Sequence, residues 1–185
     1  ISDPALAADT VYYLFVRANG LGVVSDWSAY PGVSTLVEFS PGAGAPVFDN
    51  VDTGSIRFNW SNGGNPPGVT RYRVLTSTAP DPLAPGGAVV TASDTYNIFM
   101  SSSGLDPNAT YYFRVAGINA DGVATAYAEA RTTSTLAEIP QFSMFSVVTP
   151  DSLVFDWSAN GNPDPGTLYR VLSATVPEPA SYPAG

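Results

Sequence analysis

The chain repeats itself. The stretch Trp60-Ser-Asn-Gly-Gly-Asn-Pro-Pro-Gly-Val-Thr-Arg-Tyr-Arg-Val-Leu75 returns without a gap as Trp157-Ser-Ala-Asn-Gly-Asn-Pro-Asp-Pro-Gly-Thr-Leu-Tyr-Arg-Val-Leu172, an offset of 157 − 60 = 97. Leu6 and Tyr12-Tyr13 match Leu105 and Tyr111-Tyr112 at 99, and Ser34-Thr35-Leu36 matches Ser134-Thr135-Leu136 at 100. A period of this kind means one structural unit copied in series, so each unit must be explained by about a hundred residues. Pro- and Gly-rich stretches around Ser40 to Pro46, and the stretch near Leu136 to Gln141, interrupt the pattern and mark the boundaries. Residues 45–136 then form one complete unit, residues 1–44 match only the end of a unit, and residues 137–185 match only a beginning.

Within the complete unit, apolar and polar residues alternate. Ile56, Phe58 and Trp60 fall on one face and Arg57 and Asn59 on the other, and Leu153, Phe155 and Trp157 repeat the apolar series. Further strands are expected at about Thr70 to Thr76, Thr95 to Met100, Thr110 to Ile118 and Ala124 to Thr132, separated by Gly, Pro, Asn and Asp clusters. No helical periodicity competes. Many short strands repeated at this interval predict an all-β fold of tandem antiparallel sandwiches, each sheet burying one face.

Several separate positions of the complete unit resemble a fibronectin type III domain. They are Trp60 ending the second strand, Tyr72-Arg-Val74 in the third, and Leu105-Asp-Pro107-Asn-Ala-Thr-Tyr111 ahead of Phe113, Val115 and Asn119. The resemblance implies seven strands in sheets of four and three, with Tyr111 as a buried ring whose hydroxyl bonds backbone in the preceding loop. Tyr12 takes that role in the first segment, six residues after Leu6, although Ala8 stands there where Pro107 stands in the complete unit. It also implies tandem domains of a secreted or cell-surface repeat protein of the bacterial type, and no chemistry inherent in the fold. The interior anchors expected on this reading are Tyr12, Trp60, Tyr72, Leu105, Tyr111, Phe113 and Trp157.

Composition narrows the function. There is no histidine and no cysteine, which excludes thiol nucleophiles, Ser-His-Asp relays, imidazole metal sites and disulfide staples. The 7 basic residues are all arginine against 16 acidic ones, a formal charge of −9, which repels nucleic acid. No apolar run reaches the roughly 20 residues that cross a bilayer, and residue 1 opens no basic-then-hydrophobic leader, so a mature soluble chain is expected without membrane insertion. No cofactor is expected. Lacking lysine, the units cannot form isopeptide cross-links, and they contain no Arg-Gly-Asp motif.

Other features have mundane explanations. Asn62-Gly-Gly-Asn65 and Asn160-Gly-Asn-Pro-Asp164 offer oxygen ligands, but only Asp164 is charged, so turn chemistry is the reading. The sequons Asn59-Trp-Ser61 and Asn108-Ala-Thr110 are short enough to arise by chance. Asp49, Asp52, Asp121 and Glu129 do not announce a glycosidase pair, which needs a cleft between two carboxyls.

If Tyr111, Phe113 and Val115 point inward, Tyr112 and Arg114 point outward, and Arg71 and Arg73 join them from the neighbouring strand. Cross-strand stacking of guanidinium on phenol is one explanation for such a cluster. The other is docking of an acidic surface, another copy included. Trp27, matching Tyr127 at an offset of 100 near the start of a last strand, is a further contact candidate.

The expected function is a non-catalytic spacer or filament module, with neighbouring repeats or copies of itself as partners. The alternative is an adhesin, or an accessory module that holds a polysaccharide, which an exposed aromatic strip would favour. The two incomplete ends also raise head-to-tail completion between molecules. That pairing lacks the strand around Thr95, so a window cut from a longer chain is the simpler expectation.

Overall fold

A computed structural model describes residues 6–38 and 43–176, with side chains of 43–45 left aside. The described residues contain no helix. Seven strands make a two-sheet sandwich: β7 (Ala43–Asp49), β8 (Ser55–Trp60), β9 (Arg71–Ser77), β10 (Val89–Thr95), β11 (Phe99–Ser103), β12 (Thr110–Ile118) and β13 (Arg131–Ser134). One sheet runs β10-β9-β12-β13 and the other β11-β8-β7, with antiparallel pairing throughout. This is the sandwich of four and three strands that the resemblance implies, and its topology is that of a fibronectin type III fold.

Alternation along β8 turns Ile56, Phe58 and Trp60 inward, where all three are buried. From the opposite sheet come Tyr72 and Val74 of β9 and Tyr111, Phe113 and Val115 of β12, joined by Leu105 and Ala128. The rings interlock across the gap: Phe58 lies 5.4 Å from Phe113, Phe48 lies 5.3 Å from Phe113, and Trp60 meets Tyr72 edge-on at 5.6 Å. Tilted and edge-on packing suits the ring quadrupoles and adds about 0.5–1.5 kcal/mol per pair beyond burial. The Tyr111 hydroxyl accepts the Asp106 N–H at 2.8 Å, closing the corner at the end of the sandwich. One polar pair crosses the core, Thr76 Oγ1 with Ser102 Oγ at 2.7 Å; each hydroxyl satisfies the other, as burial requires.

Two strand assignments differ from the sequence reading. The expected strand Thr95 to Met100 instead spans the end of β10, a bend at residues 96–98 and the start of β11. β10 escaped notice because it is an edge strand, largely exposed on both faces, with no inside-outside alternation to reveal it. The last strand pairs regularly only over Arg131–Ser134. Upstream it stays beside β12 through single bonds, Thr125 N–H to Gly117 O at 2.9 Å and Ala128 N–H to Val115 O at 2.9 Å.

Flanking the sandwich, residues 11–34 form a long antiparallel hairpin. It pairs β1 (Val11–Tyr12) with β6 (Val33–Ser34), β2 (Phe15–Val16) with β5 (Ser28–Ala29), and β3 (Asn19–Gly20) with β4 (Val23–Val24). On the other side, β14 (Gln141–Val148) pairs with β15 (Leu153–Ser158). The second hairpin repeats the ring ladder of the sandwich, with Phe145–Phe155 at 5.3 Å, Phe155–Trp157 at 5.9 Å and Trp157–Tyr169 at 5.6 Å. Trp157 is nevertheless 36% exposed where Trp60 is 2% exposed, and Tyr12 is only half-buried. The core expectation for these two falls short because no second sheet among the described residues covers them. The Tyr12 hydroxyl still accepts the Ala7 N–H at 2.8 Å, the counterpart of the Tyr111 corner.

Candidate interaction faces and the contacts of the flanking hairpins

The outer face of the four-stranded sheet carries the arginines that the sequence reading placed there. Their partners differ from that reading. Arg73 forms a two-pronged ion pair with Asp94, at 2.8 Å from Nε and 3.1 Å from Nη2, and Arg71 Nε lies 3.8 Å from the same carboxylate. Arg114 Nη2 lies 3.6 Å from Asp81 Oδ1. In register Arg114 stands opposite Leu75 and Tyr112 opposite Ser77, so no phenol-guanidinium stack forms between these strands. Tyr127 sits half-buried near Arg73 and Asp94, and burial raises its phenol pKa. All three arginines thus spend their charge within the molecule.

The hydrogen bond from Arg73 holds the Asp94 carboxyl below its usual range; partial burial opposes this, and the charges of Arg73 and Arg71 assist it. A carboxyl depressed in the folded state stabilises the fold above its unfolded pKa of about 4, and that contribution disappears as pH falls through the folded value. Because the pair is exposed, solvent keeps the effect small. Melting temperature against pH for Asp94→Asn should lie slightly below the parent at pH 7, with the gap closing on acidification below about pH 4.

The first hairpin has an outer face of a different kind. By the offsets of 99 and 100, Tyr13, Phe15 and Trp27 occupy the positions of Tyr112, Arg114 and Tyr127. They are 65%, 58% and 59% exposed, and the Arg17 guanidinium lies over the Trp27 ring at 4.6 Å. Unlike Leu14 and Val16, which face the inward side, these rings belong to the side that is outermost in the complete sandwich.

The arrangement that sequence reasoning missed lies where each hairpin meets the sandwich. After β6 the chain buries Val37 against Gly117 of β12, so closely that a β-carbon at Gly117 would overlap Val37 Cγ1. Ser34 N–H donates to Asp121 Oδ2 at 2.6 Å, and Asn119 Nδ2 donates to Thr35 O at 3.3 Å. Asn65, buried between β8 and β9, grips the main chain of Glu38: its Oδ1 accepts the Glu38 N–H at 2.8 Å, and its Nδ2 donates to Glu38 O and to Asn62 O. At the other end Asn162 does the same to Glu138, with N–H to Oδ1 at 2.8 Å, Nδ2 to Glu138 O at 2.8 Å and Nδ2 to Ala159 O at 2.7 Å. Asn162 is 5% exposed although its hairpin is otherwise almost entirely open. A carboxamide so buried must find partners, since an orphaned group costs about 1–3 kcal/mol.

The two joints also differ: in the second, Asn160 Nδ2 donates to Ile139 O at 2.9 Å, where the first has Gly63 at the matching position. Asn108 donates through Nδ2 to Thr167 Oγ1 at 2.9 Å, tying the sandwich to the second hairpin. Its counterpart in the first hairpin is Asp9, with the same left-handed backbone (φ 43° against 46°). Asp9 Oδ1 is buried without a hydrogen bond, and so is Oγ1 of Thr70, the counterpart of Thr167. Asp9 lies within electrostatic reach of Tyr72, whose hydroxyl neighbours Thr70 and whose pKa burial raises. Asp9→Asn replaces a carboxylate oxygen buried without a partner by a neutral carboxamide that the left-handed backbone accepts, and should stabilise the protein by about 1 kcal/mol in urea unfolding.

No protein-family model matches the chain. It is similar to usherin of Rattus norvegicus (34% identical over 118 residues) and to usherin of Mus musculus (32% over 118 residues), each match covering 61% of this chain. The chain spans 2% of the length of these relatives. Among solved structures it is similar to domains d3–d4 of the rat CD45 extracellular region (16% identical, TM-score 0.44, covering 73% of this chain and 68% of that one). It is also similar to the FN1–FN3 domains of chicken CNTN1 (16% identical, TM-score 0.42, covering 74% and 46%).

Proposed function

We propose that this chain is part of a series of fibronectin type III-like units, with 45–136 a complete unit and 1–44 and 137–185 portions of its neighbours, serving as a non-catalytic spacer of an extracellular or cell-surface protein. One observation carries the reading: the same joint, an asparagine of one unit bonded to the main chain leaving the previous one, occurs on both sides of the sandwich. A stretch that sets distance needs such reproducible joints, and it needs no reacting groups. The absence of histidine and cysteine from the sequence fits that role. The extracellular setting draws support from the usherin match and the bacterial-type setting from the family resemblance alone. Self-association through the arginine face has less support, because Asp94 and Asp81 already occupy those arginines. Proteins carrying one, two and four copies of the unit test the spacer role by small-angle X-ray scattering. Maximum dimension should rise with every unit added, and a compact four-unit particle would overturn the proposal.

A second reading, attachment to a polysaccharide, is favoured by Tyr13, Phe15 and Trp27 on one exposed face. Flat rings in a row suit the apolar faces of sugar rings, and Arg17 braces Trp27. Trp27→Ala and Tyr13→Ala together should abolish retention on insoluble cellulose or chitin. If the unaltered chain is not retained on either, this reading fails while the spacer reading stands.

A further inference from the structure

Resting on the spacer reading and deepening it, we propose that Asn65 and Asn162 are clasps that lock each unit to the one before it, so that neighbouring units move as one body. In both loops the asparagine falls five residues after a strand tryptophan (Trp60 to Asn65, Trp157 to Asn162) and is followed by proline, Pro66 or Pro163. In both, one carboxamide reads an N–H and a C=O of the same residue, Glu38 or Glu138, and returns a third bond to its own loop. Two bonds to one residue fix both the position and the direction of the departing chain, whereas one bond would leave a pivot. Beside the first clasp, Val37 is seated on Gly117 and Asp121 caps the Ser34 N–H, so the segment is held at three points along its length. Every contact of the clasp to the preceding unit is to main chain, and the glutamate side chains form none of these bonds. The clasp therefore depends on residue 38 through its N–H and C=O, and the Glu38 side chain adds only packing, its carboxylate lying against Gly64.

That property supplies the test. The chain has no cysteine, so Val23→Cys and Thr132→Cys, both exposed, carry the only two spin labels, one in the first hairpin and one in the sandwich. Distance distributions by double electron–electron resonance should be narrow in the parent and equally narrow in Glu38→Ala. They should at least double in width in Glu38→Pro, which removes the N–H yet leaves the Asn65 to Asn62 bond intact. Asn65→Ala should broaden the distribution likewise. Amide hydrogen exchange reads the second joint separately: Asn162→Ala should speed exchange at Glu138 at least tenfold and leave Glu38 unchanged. Near-ultraviolet circular dichroism confirms that the sandwich of each variant remains folded. A broad distribution in the parent, or equal widths for Glu38→Pro and Glu38→Ala, overturns the clasp. It would not overturn the spacer, since units on slack joints still add length, with dimensions growing as the square root of their number instead of linearly.

Discussion

Contact between Phe58 of the three-stranded sheet and Phe113 of the four-stranded sheet is the constraint on which the molecule depends. It sets the gap between the sheets and brings Phe48, Trp60 and Tyr72 into the same interlocked group. Once these rings are dry, alternation sends Arg71, Arg73 and Arg114 to the opposite side, where carboxylates of β10 and the preceding loop meet them. The second hairpin shows the same principle from half the parts. Phe145, Phe155, Trp157 and Tyr169 hold the ladder through local register, but only a facing sheet removes such rings from water.

Much of this was legible from the sequence. The period appeared in a direct self-comparison, and period-two alternation located Ile56, Phe58 and Trp60 because a strand with one buried face writes its orientation into every second residue. Tyr111 could be placed through the resemblance to a fibronectin type III domain, which Leu105 and Tyr111 help to carry. β10 was hidden because an edge strand exposed on both sides has no such code. The arginines were assigned to the correct face but to the wrong partners, since the choice between Tyr112 and Asp94 depends on register between strands and not on spacing within one.

The joint was the least legible part. Asn65 and Asn162 stood in plain view in the repeated stretch and read as turn formers, which they also are, each bonding within its own loop. Their second role escaped because their partner is backbone, and backbone leaves no signature in a sequence. The signal available was their recurrence five residues after Trp60 and Trp157, each ahead of a proline.

Reading main chain alone has a consequence for how such a protein changes over generations. A contact between two side chains binds both to change together, so a unit moved to a new place would meet an unfamiliar neighbour. An asparagine that recognises only an amide and a carbonyl makes no demand on the side chain at the residue it holds, other than that it is not proline. A substitution at residue 138 then needs no answering change at Asn162.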